Sequence, residues 1–173
     1  VPATNPTVVR MQPGLAFGTG THPTTALCLS WIGKQNLHDL RVIDFGCGSG
    51  ILGIAALKLG ARHVWAVDHD PQALSATAQN ARQNEVGERL ETLACVQGLP
   101  KDSDVLLANV LLNPLLEMAQ DFAGRLRADG TLVLSGLLNE QVELLWPAYR
   151  AWFEDKEVTT QDGWACLSAR RSC

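Results

Sequence analysis

One run constrains this chain more than any other: Val42-Ile43-Asp44-Phe45-Gly46-Cys47-Gly48-Ser49-Gly50-Ile51. Its β-branched and aromatic start reads as a buried strand, and an apolar, alanine-rich run follows its end without a break. Between the two, glycines at alternate positions let the backbone turn sharply and leave no Cβ between main chain and ligand. A strand, a tight loop and a helix in that order form a platform where a small molecule can lie against backbone and a helix N-terminus.

The spacing narrows the ligand. A dinucleotide fold wants Gly-x-Gly-x-x-Gly with the pyrophosphate on the helix N-terminus, whereas here the order is Gly46-x-Gly48-x-Gly50 with Asp44 just ahead of it. Asp-x-Gly-x-Gly-x-Gly resembles the first motif of the class I S-adenosylmethionine methyltransferases. The resemblance implies that this loop packs against the amino-acid end and ribose of the cofactor. The next strand, Val64-Trp65-Ala66-Val67, ends in Asp68, where a carboxylate can accept both ribose hydroxyl protons. Asp70 has a structural explanation as a helix cap followed by Pro71, while Asp68 has none and keeps the ribose assignment. Cys47 reads as a thiol packed under the turn rather than a nucleophile.

At 173 residues one domain and one core suffice. Fourteen Lys and Arg against 18 Asp and Glu give a charge of −4 with no run of like charges, which argues against a nucleic-acid surface and leaves a basic protein partner compatible. No apolar run reaches the ~18 residues of a membrane span and no signal-peptide order is visible, so a cytoplasmic setting is expected. The five cysteines are scattered and never in Cys-x-x-Cys spacing, so neither disulfides nor a zinc site is indicated. A monomer is expected.

Residues 1–11 have no period and read as an extended lead-in, whose abrupt start points to further N-terminal sequence in the full protein. Then comes Gln12-Pro13-Gly14-Leu15-Ala16-Phe17-Gly18-Thr19-Gly20-Thr21-His22-Pro23-Thr24-Thr25, ahead of a helix-like run over 26–32. So many glycines, prolines and threonines mark a specialised loop. It reads either as a cofactor cap, with Phe17 as an apolar wall, Gly18 and Gly20 allowing close approach and Thr25 offering a hydroxyl, or as a helix cap on a flexible arm. Residues 1–22 are thus assigned to the lead-in and capping loop, and 23–173 to the domain.

This loop, with Ile43-Asp44-Phe45-Gly46-Cys47-Gly48-Ser49-Gly50, Val67-Asp68-His69-Asp70-Pro71, Asn109-Val110-Leu111 and Pro114-Leu115, resembles the PrmA family, the bacterial methyltransferases of ribosomal protein L11. The likeness implies cofactor contacts at Thr25, Gly46, Asp68 and Asn109, and methylation of lysine side-chain amines and an N-terminal α-amine. Two departures stand out: Gln12 replaces a frequent acid, and the family's separate N-terminal substrate-recognition domain is absent from this chain.

The rest of the chain fits an α/β reading. After helix 51–59 and strand 62–68, Asp70 and Pro71 open a helix to about 84 with Leu74, Ala78 and Ala81 on one face. A third strand spans 90–96, with no acid at its end to meet an adenine amine, so Gln97 or backbone groups must serve. Strand 105–108 leads to Asn109 at its carboxyl end, where ligands sit in parallel sheets. Asn113 and Pro114 read as cap and first position of a helix carrying Leu116, Ala119 and Phe122 inward. Asp129-Gly130 turns into strand 131–135, Gly136 follows beside the site, and a helix with Val142 and Leu145 is cut near Pro147. Strands 152–160 and 164–169 flank an Asp162-Gly163 hairpin turn. A parallel α/β sheet ending in an antiparallel pair resembles the class I methyltransferase pattern, which implies a Rossmann-like, seven-stranded, mostly parallel sheet of order 3-2-1-4-5-7-6, with an antiparallel C-terminal hairpin and helices on both faces. Trp146, Trp152 and Trp164 read as packing residues.

Methyl transfer needs orientation and exclusion of water more than strong acids or bases. Asn109 is therefore the catalytic candidate, its amide oxygen orienting an amine, with Thr25, Asp44, Gly46, Gly48, Gly50, Asp68, Asn109, Phe17 and Gly18 around the cofactor and no metal. Competing readings are a glutamine or small-molecule methyltransferase, disfavoured because Asn109-Val110-Leu111-Leu112 lacks the Asn-Pro-Pro-Tyr pattern, a nicotinamide oxidoreductase, and a non-catalytic cofactor-binding module.

Overall fold

The structure, a computed structural model, describes residues 7–12 and 21–173. The strands are β1 (Arg41–Phe45), β2 (His63–Val67), β3 (Leu90–Leu93), β4 (Ser103–Asn109), β5 (Leu126–Leu138), β6 (Phe153–Gln161) and β7 (Trp164–Arg171). The helices are α1 (Pro23–Lys34), α2 (Ile51–Lys58), α3 (Pro71–Gln83), α4 (Leu112–Arg125) and α5 (Val142–Tyr149). One seven-stranded sheet runs β3-β2-β1-β4-β5-β7-β6, the order that the methyltransferase resemblance implies. The pairings from β3 through to β5 are parallel, and β7 is antiparallel to both β5 and β6.

Period-two alternation sorts each central strand between two cores. Val42, Val105, Leu107 and Val133 join α1, α2 and α3 on one face, whereas Ile43, Leu106, Leu132 and Leu134 join α4 and α5 on the other. Asp44 shares the parity of Val42 and is therefore driven under α2, where it is 2% exposed. Chain direction reverses about β1: it passes outward to β2 and β3, then returns to β4 on the other side. Such a switch opens a crevice above the carboxyl ends of β1 and β4.

Several local expectations are corrected. β3 stops at Leu93 rather than at 96, because Val96–Gly98 folds into a 3₁₀ turn. α3 buries Ala73, Thr77, Asn80 and Ala81, with Leu74 and Ala78 only half-buried, so its inward face is partly polar. α4 starts at Leu112 with Leu111 flanking it, which puts Asn113 and Pro114 inside the first turn, where a missing N–H costs nothing. Its buried stripe is Leu115, Ala119, Phe122 and Ala123, and Leu116 faces out. Asp129 and Gly130 lie within β5 instead of before it. Ser103 pairs with Leu126 and Val105 with Thr131, so the surplus residues form a bulge in which Asp129 adopts φ 64°.

Pro147 does not end α5, which continues to Tyr149. The tyrosine is fully buried and donates its hydroxyl to the Leu115 carbonyl at 2.6 Å, so tertiary anchoring outweighs the one helical bond that proline removes. Asp162 and Gly163 both take positive φ (52° and 83°), the mirror-image turn that suits the twist of a two-residue hairpin.

Candidate functional site

The glycine loop leaves β1 and enters α2 through three left-handed residues, Gly46 (φ 68°), Gly48 (φ 54°) and Gly50 (φ 85°). A Cβ at Gly46 would sit 2.5 Å from Val110 Cγ1, and one at Gly50 would sit 2.8 Å from Thr77 Cγ2, so neither position accepts a side chain. The loop is strapped down from β2: the Gly46 and Cys47 N–H groups donate to the Val67 carbonyl at 2.8 and 3.1 Å, and the Gly48 N–H donates to Asp68 Oδ2 at 3.1 Å. The other oxygen of Asp68 accepts the Asp70 N–H at 3.0 Å. This corrects one expectation, since Asp68 does have a structural task. With one such bond on each, both oxygens keep acceptor capacity, and Asp68 lines the adjoining cavity. Asp70 caps α3 as predicted, accepting the Gln72 N–H at 2.9 Å, and His69 is fully exposed.

Two cavities meet at the loop. One, of about 530 Å³, is lined by Phe45, Val67, Asp68, Ala73, Cys95 and Val96, among others. The second, of about 300 Å³, is lined by His22, Thr25, Asp44, Asn109, Gly136 and Trp164, among others. Gly46, Gly48 and Val110 line both, so the cavities are compartments of one cleft above the carboxyl ends of β1, β2 and β4. Asn109 ends β4, and its Nδ2 donates to Thr25 Oγ1 at 3.2 Å. That contact spans 84 positions of chain and fixes the amide's rotation, and no partner for Oδ1 is found among the described residues.

Asp44 lies at the floor of the second cavity. The Gly53 N–H donates to its Oδ2 at 3.1 Å, and a Cβ at Gly53 would stand 2.8 Å from Val64 Cγ1 and 3.2 Å from that same oxygen. Burial pushes the Asp44 carboxyl up to about 7, the bond from Gly53 offsets this in part, and the nearby charge of Asp68 adds to the rise. Cys47 behaves as the packed thiol the sequence indicates. Burial raises its pKa far above the usual thiol range, with Asp44 adding, and its sulfur lies 3.3 Å from the Thr77 hydroxyl.

The structure thus brings Thr25, Asp44, Gly46, Gly48, Asp68 and Asn109 to one cleft, with Gly50 turning the loop into α2. Phe17 and Gly18, assigned to the cap, lie outside the described residues. Gln97 is exposed and does not line the cleft, where Ala94, Cys95 and Val96 form the corresponding wall. Sequence reasoning passed over His22, which caps α1 by accepting the Thr24 N–H at 3.2 Å and meets the Trp164 ring edge-on at 5.1 Å between centroids. It also passed over Thr77 and Asn80 beneath the loop, whose signal was polar residues at i and i+3 on the inward stripe of a helix. No group of residues suited to holding a metal exists among the described residues. No helix among them is long and apolar enough to cross a membrane.

A doubly wound sheet with an antiparallel edge, a glycine-rich bend after β1 and an acid closing β2 defines the Rossmann-like methyltransferase class. Comparison with known proteins sharpens this. The family model described as ribosomal protein L11 methyltransferase (PrmA) matches residues 1–172, and the chain belongs to that family. Its similar relatives include ribosomal protein L11 methyltransferases of Methylococcus capsulatus, 52% identical over 97% of this chain and 58% of the relative, and of Shewanella baltica, 48% identical over 96% and 58%. The chain therefore spans just under three-fifths of the length of the curated relatives it matches. A crystal structure of ribosomal protein L11 methylase from Lactobacillus delbrueckii subsp. bulgaricus superposes with a TM-score of 0.87 at 29% identity, over 99% of this chain and 91% of that one.

Proposed function

We propose that this chain forms the catalytic unit of an S-adenosylmethionine-dependent protein N-methyltransferase, which methylates lysine and N-terminal amines of ribosomal protein L11. The observation that carries the reading is Asn109. A side-chain amide locked by Thr25 faces the same cleft as the side-chain-free bend and Asp68.

The residues present fit such a cofactor. The bend at Gly46 and Gly48 leaves backbone open to the cleft, Asp68 has spare acceptor capacity for a ribose diol, and the apolar wall of Val67, Ala94 and Val96 suits a flat ring system. Asp44 and Thr25 line the compartment left for the amino-acid end. The capping role of Phe17 and Gly18 is part of this proposal. When bound, S-adenosylmethionine supplies an electrophilic methyl group on a sulfonium.

Because the nucleophile is a neutral amine, the chain's task is orientation. With Nδ2 committed to Thr25, the Asn109 amide oxygen is free to accept an N–H of the incoming amine and direct its lone pair. The surplus proton leaves to water, and no acid or base of altered strength is required at Asn109. The test is calorimetric titration of the protein with S-adenosylmethionine and with NAD. Incubation with labelled S-adenosylmethionine and unmethylated ribosomal extract follows. Binding of the sulfonium compound alone and a label on ribosomal protein L11 are expected, whereas heat from NAD alone would overturn the assignment.

A further inference from the structure

The polar stripe of α3 ties two distant parts of the chain together. Asn80 is 3% exposed, and both ends of its amide are used: Nδ2 donates to the Ser49 carbonyl in the glycine loop at 2.9 Å, and Oδ1 accepts the Gln12 N–H at 3.2 Å. One turn on, Asn84 brackets Arg10, its Oδ1 accepting the Arg10 N–H at 2.8 Å and its Nδ2 donating to the Arg10 carbonyl at 2.7 Å. The Asn84 amide also donates to the Asn80 carbonyl at 2.7 Å, and Gln79 reaches the Gln12 side chain at 2.8 Å. Beneath the loop, Thr77 donates to the Gly48 carbonyl at 3.0 Å.

From this geometry we infer that Asn80 is a positioning residue coupling residues 7–12 to the cofactor loop. Occupancy of the cleft and docking of that segment each favour the other. The inference rests on the cofactor reading above. The physical ground is that a buried primary amide is satisfied only when both its donor and its acceptor find partners. A loop shift that withdraws the Ser49 carbonyl leaves a buried N–H unpaired, and the amide can recover only by turning, which releases Gln12. Undocking of the segment frees the amide to leave Ser49 in the same way. A ligand that holds Gly46 and Gly48 in place therefore tightens Gln12 and Arg10 on α3, about 70 positions away in sequence.

Linkage makes the coupling reciprocal. Two variants separate its arms on the intact chain. Gln12→Pro deletes the donor at an exposed position and leaves α3 untouched. Asn80→Asp keeps the acceptor for Gln12 but turns the donor facing Ser49 into an oxygen. S-adenosylhomocysteine is the probe, with its affinity measured by calorimetry and amide hydrogen exchange followed at Arg10 and Gln12.

In the wild type the ligand is expected to slow exchange at both amides on the order of 5-fold, the lower range of allosteric coupling. Gln12→Pro should weaken the ligand by a similar factor. In Asn80→Asp, Gln12 should stay protected without ligand yet gain nothing on its addition, while ligand affinity falls. A purely structural asparagine would lower the melting temperature of both variants and leave the ligand-induced difference in exchange intact, which overturns the coupling. Unchanged ligand affinity in Gln12→Pro does the same. No binding by the wild type overturns the cofactor reading and this inference together, whereas wild-type binding with unaltered variants removes the coupling alone.

Discussion

Asp44 makes stability depend on pH in the direction opposite to that of an ordinary paired carboxylate. In the folded protein burial holds it neutral up to about pH 7, whereas in the unfolded chain it titrates near the usual value of about 3.9. Between those values the native state binds the extra proton. Its contribution is therefore complete below about pH 4 and is lost progressively as pH rises through 7. At about 1.4 kcal/mol per unit, a span of about three units corresponds to about 4 kcal/mol, a ceiling that relaxation of the buried site will lower. His63 works against this trend, since burial lowers its pKa and stability drawn from it is lost as pH falls through its window below 6.5.

Subtraction isolates Asp44. Asn at position 44 keeps an oxygen for the Gly53 N–H and cannot ionise. Urea unfolding of the wild type and Asp44→Asn from pH 4.5 to 8.5 should give a difference in stability that moves in favour of the variant by 1 to about 4 kcal/mol across that range. A difference flat with pH would refute the argument, and so would one that moves in favour of the wild type. The same carboxyl should affect binding. A cationic amine entering the compartment it lines favours the charged form, so wild-type affinity for S-adenosylmethionine should rise with pH up to about 7, with proton release visible in buffers of different ionisation enthalpy. Asp44→Asn should show neither.

Asn109→Ala is expected to lower turnover on the order of 10²-fold with little change in cofactor affinity, because orientation is what it removes; equal losses in both would count against the role. Thr25→Val removes the hydroxyl that pins the Asn109 amide at 3.2 Å, and steady-state kinetics should show a smaller loss of the same kind, again mostly in kcat. Gly136 and Gly163 form a matched pair for Ala substitution. Both have positive φ (88° and 83°), but a Cβ at Gly136 would land on the Val110 carbonyl, with its carbon 2.7 Å away, whereas Gly163 has nothing within 4 Å. Chemical denaturation should show about 1 kcal/mol lost at Gly163 and at least twice that at Gly136. Tyr149→Phe strips the donor from the buried Leu115 carbonyl and should cost about 1 to 3 kcal/mol in the same assay.

The glycine bend and the helix cap at Asp70 were legible because each rests on local chemistry, and the strand order because the motifs resemble a family whose sheet has that order. Glycines at 46, 48 and 50 admit the positive φ that they take here, and Asp70 ahead of Pro71 is a local helix-start signal that the structure uses as such. What escaped was decided by tertiary contact. The inward face of α3 lay hidden because the apolar positions Leu74, Ala78 and Ala81 suggest a different stripe, and Thr77 and Asn80 find their partners only in the glycine loop and the lead-in. Pro147 reads as a helix end, and only the buried hydroxyl of Tyr149 explains why α5 runs on. Asp129 reads as a turn because its φ of 64° does belong to one, and no local signal says that neighbouring strands pair across it.

The division of the cleft also depends on contacts rather than motifs. Val110 follows Asn109 directly and touches two bends from different strands. Its Cγ1 fills the space a side chain at Gly46 would need, and its carbonyl fills the space of one at Gly136. With Gly at both positions, the 109–110 segment can settle between β1 and β5 and stand as the partition between the two compartments. The Asn109 amide is then committed to one side, the side of Thr25, because the peptide that follows is wedged in place. The amide oxygen is aimed by packing two residues wide rather than by any charged partner. The demand is the one expected of a reaction that needs direction more than proton transfer. A second consequence separates this arrangement from a rigid motif. Adding volume at position 46 or 136 should misplace Asn109 without touching it, while removing volume in Val110→Ala should leave the fold intact and merge the compartments. That variant should loosen orientation at Asn109 and lower kcat more than it weakens cofactor binding, and a loss confined to cofactor affinity would show that the partition does not set the amide's direction.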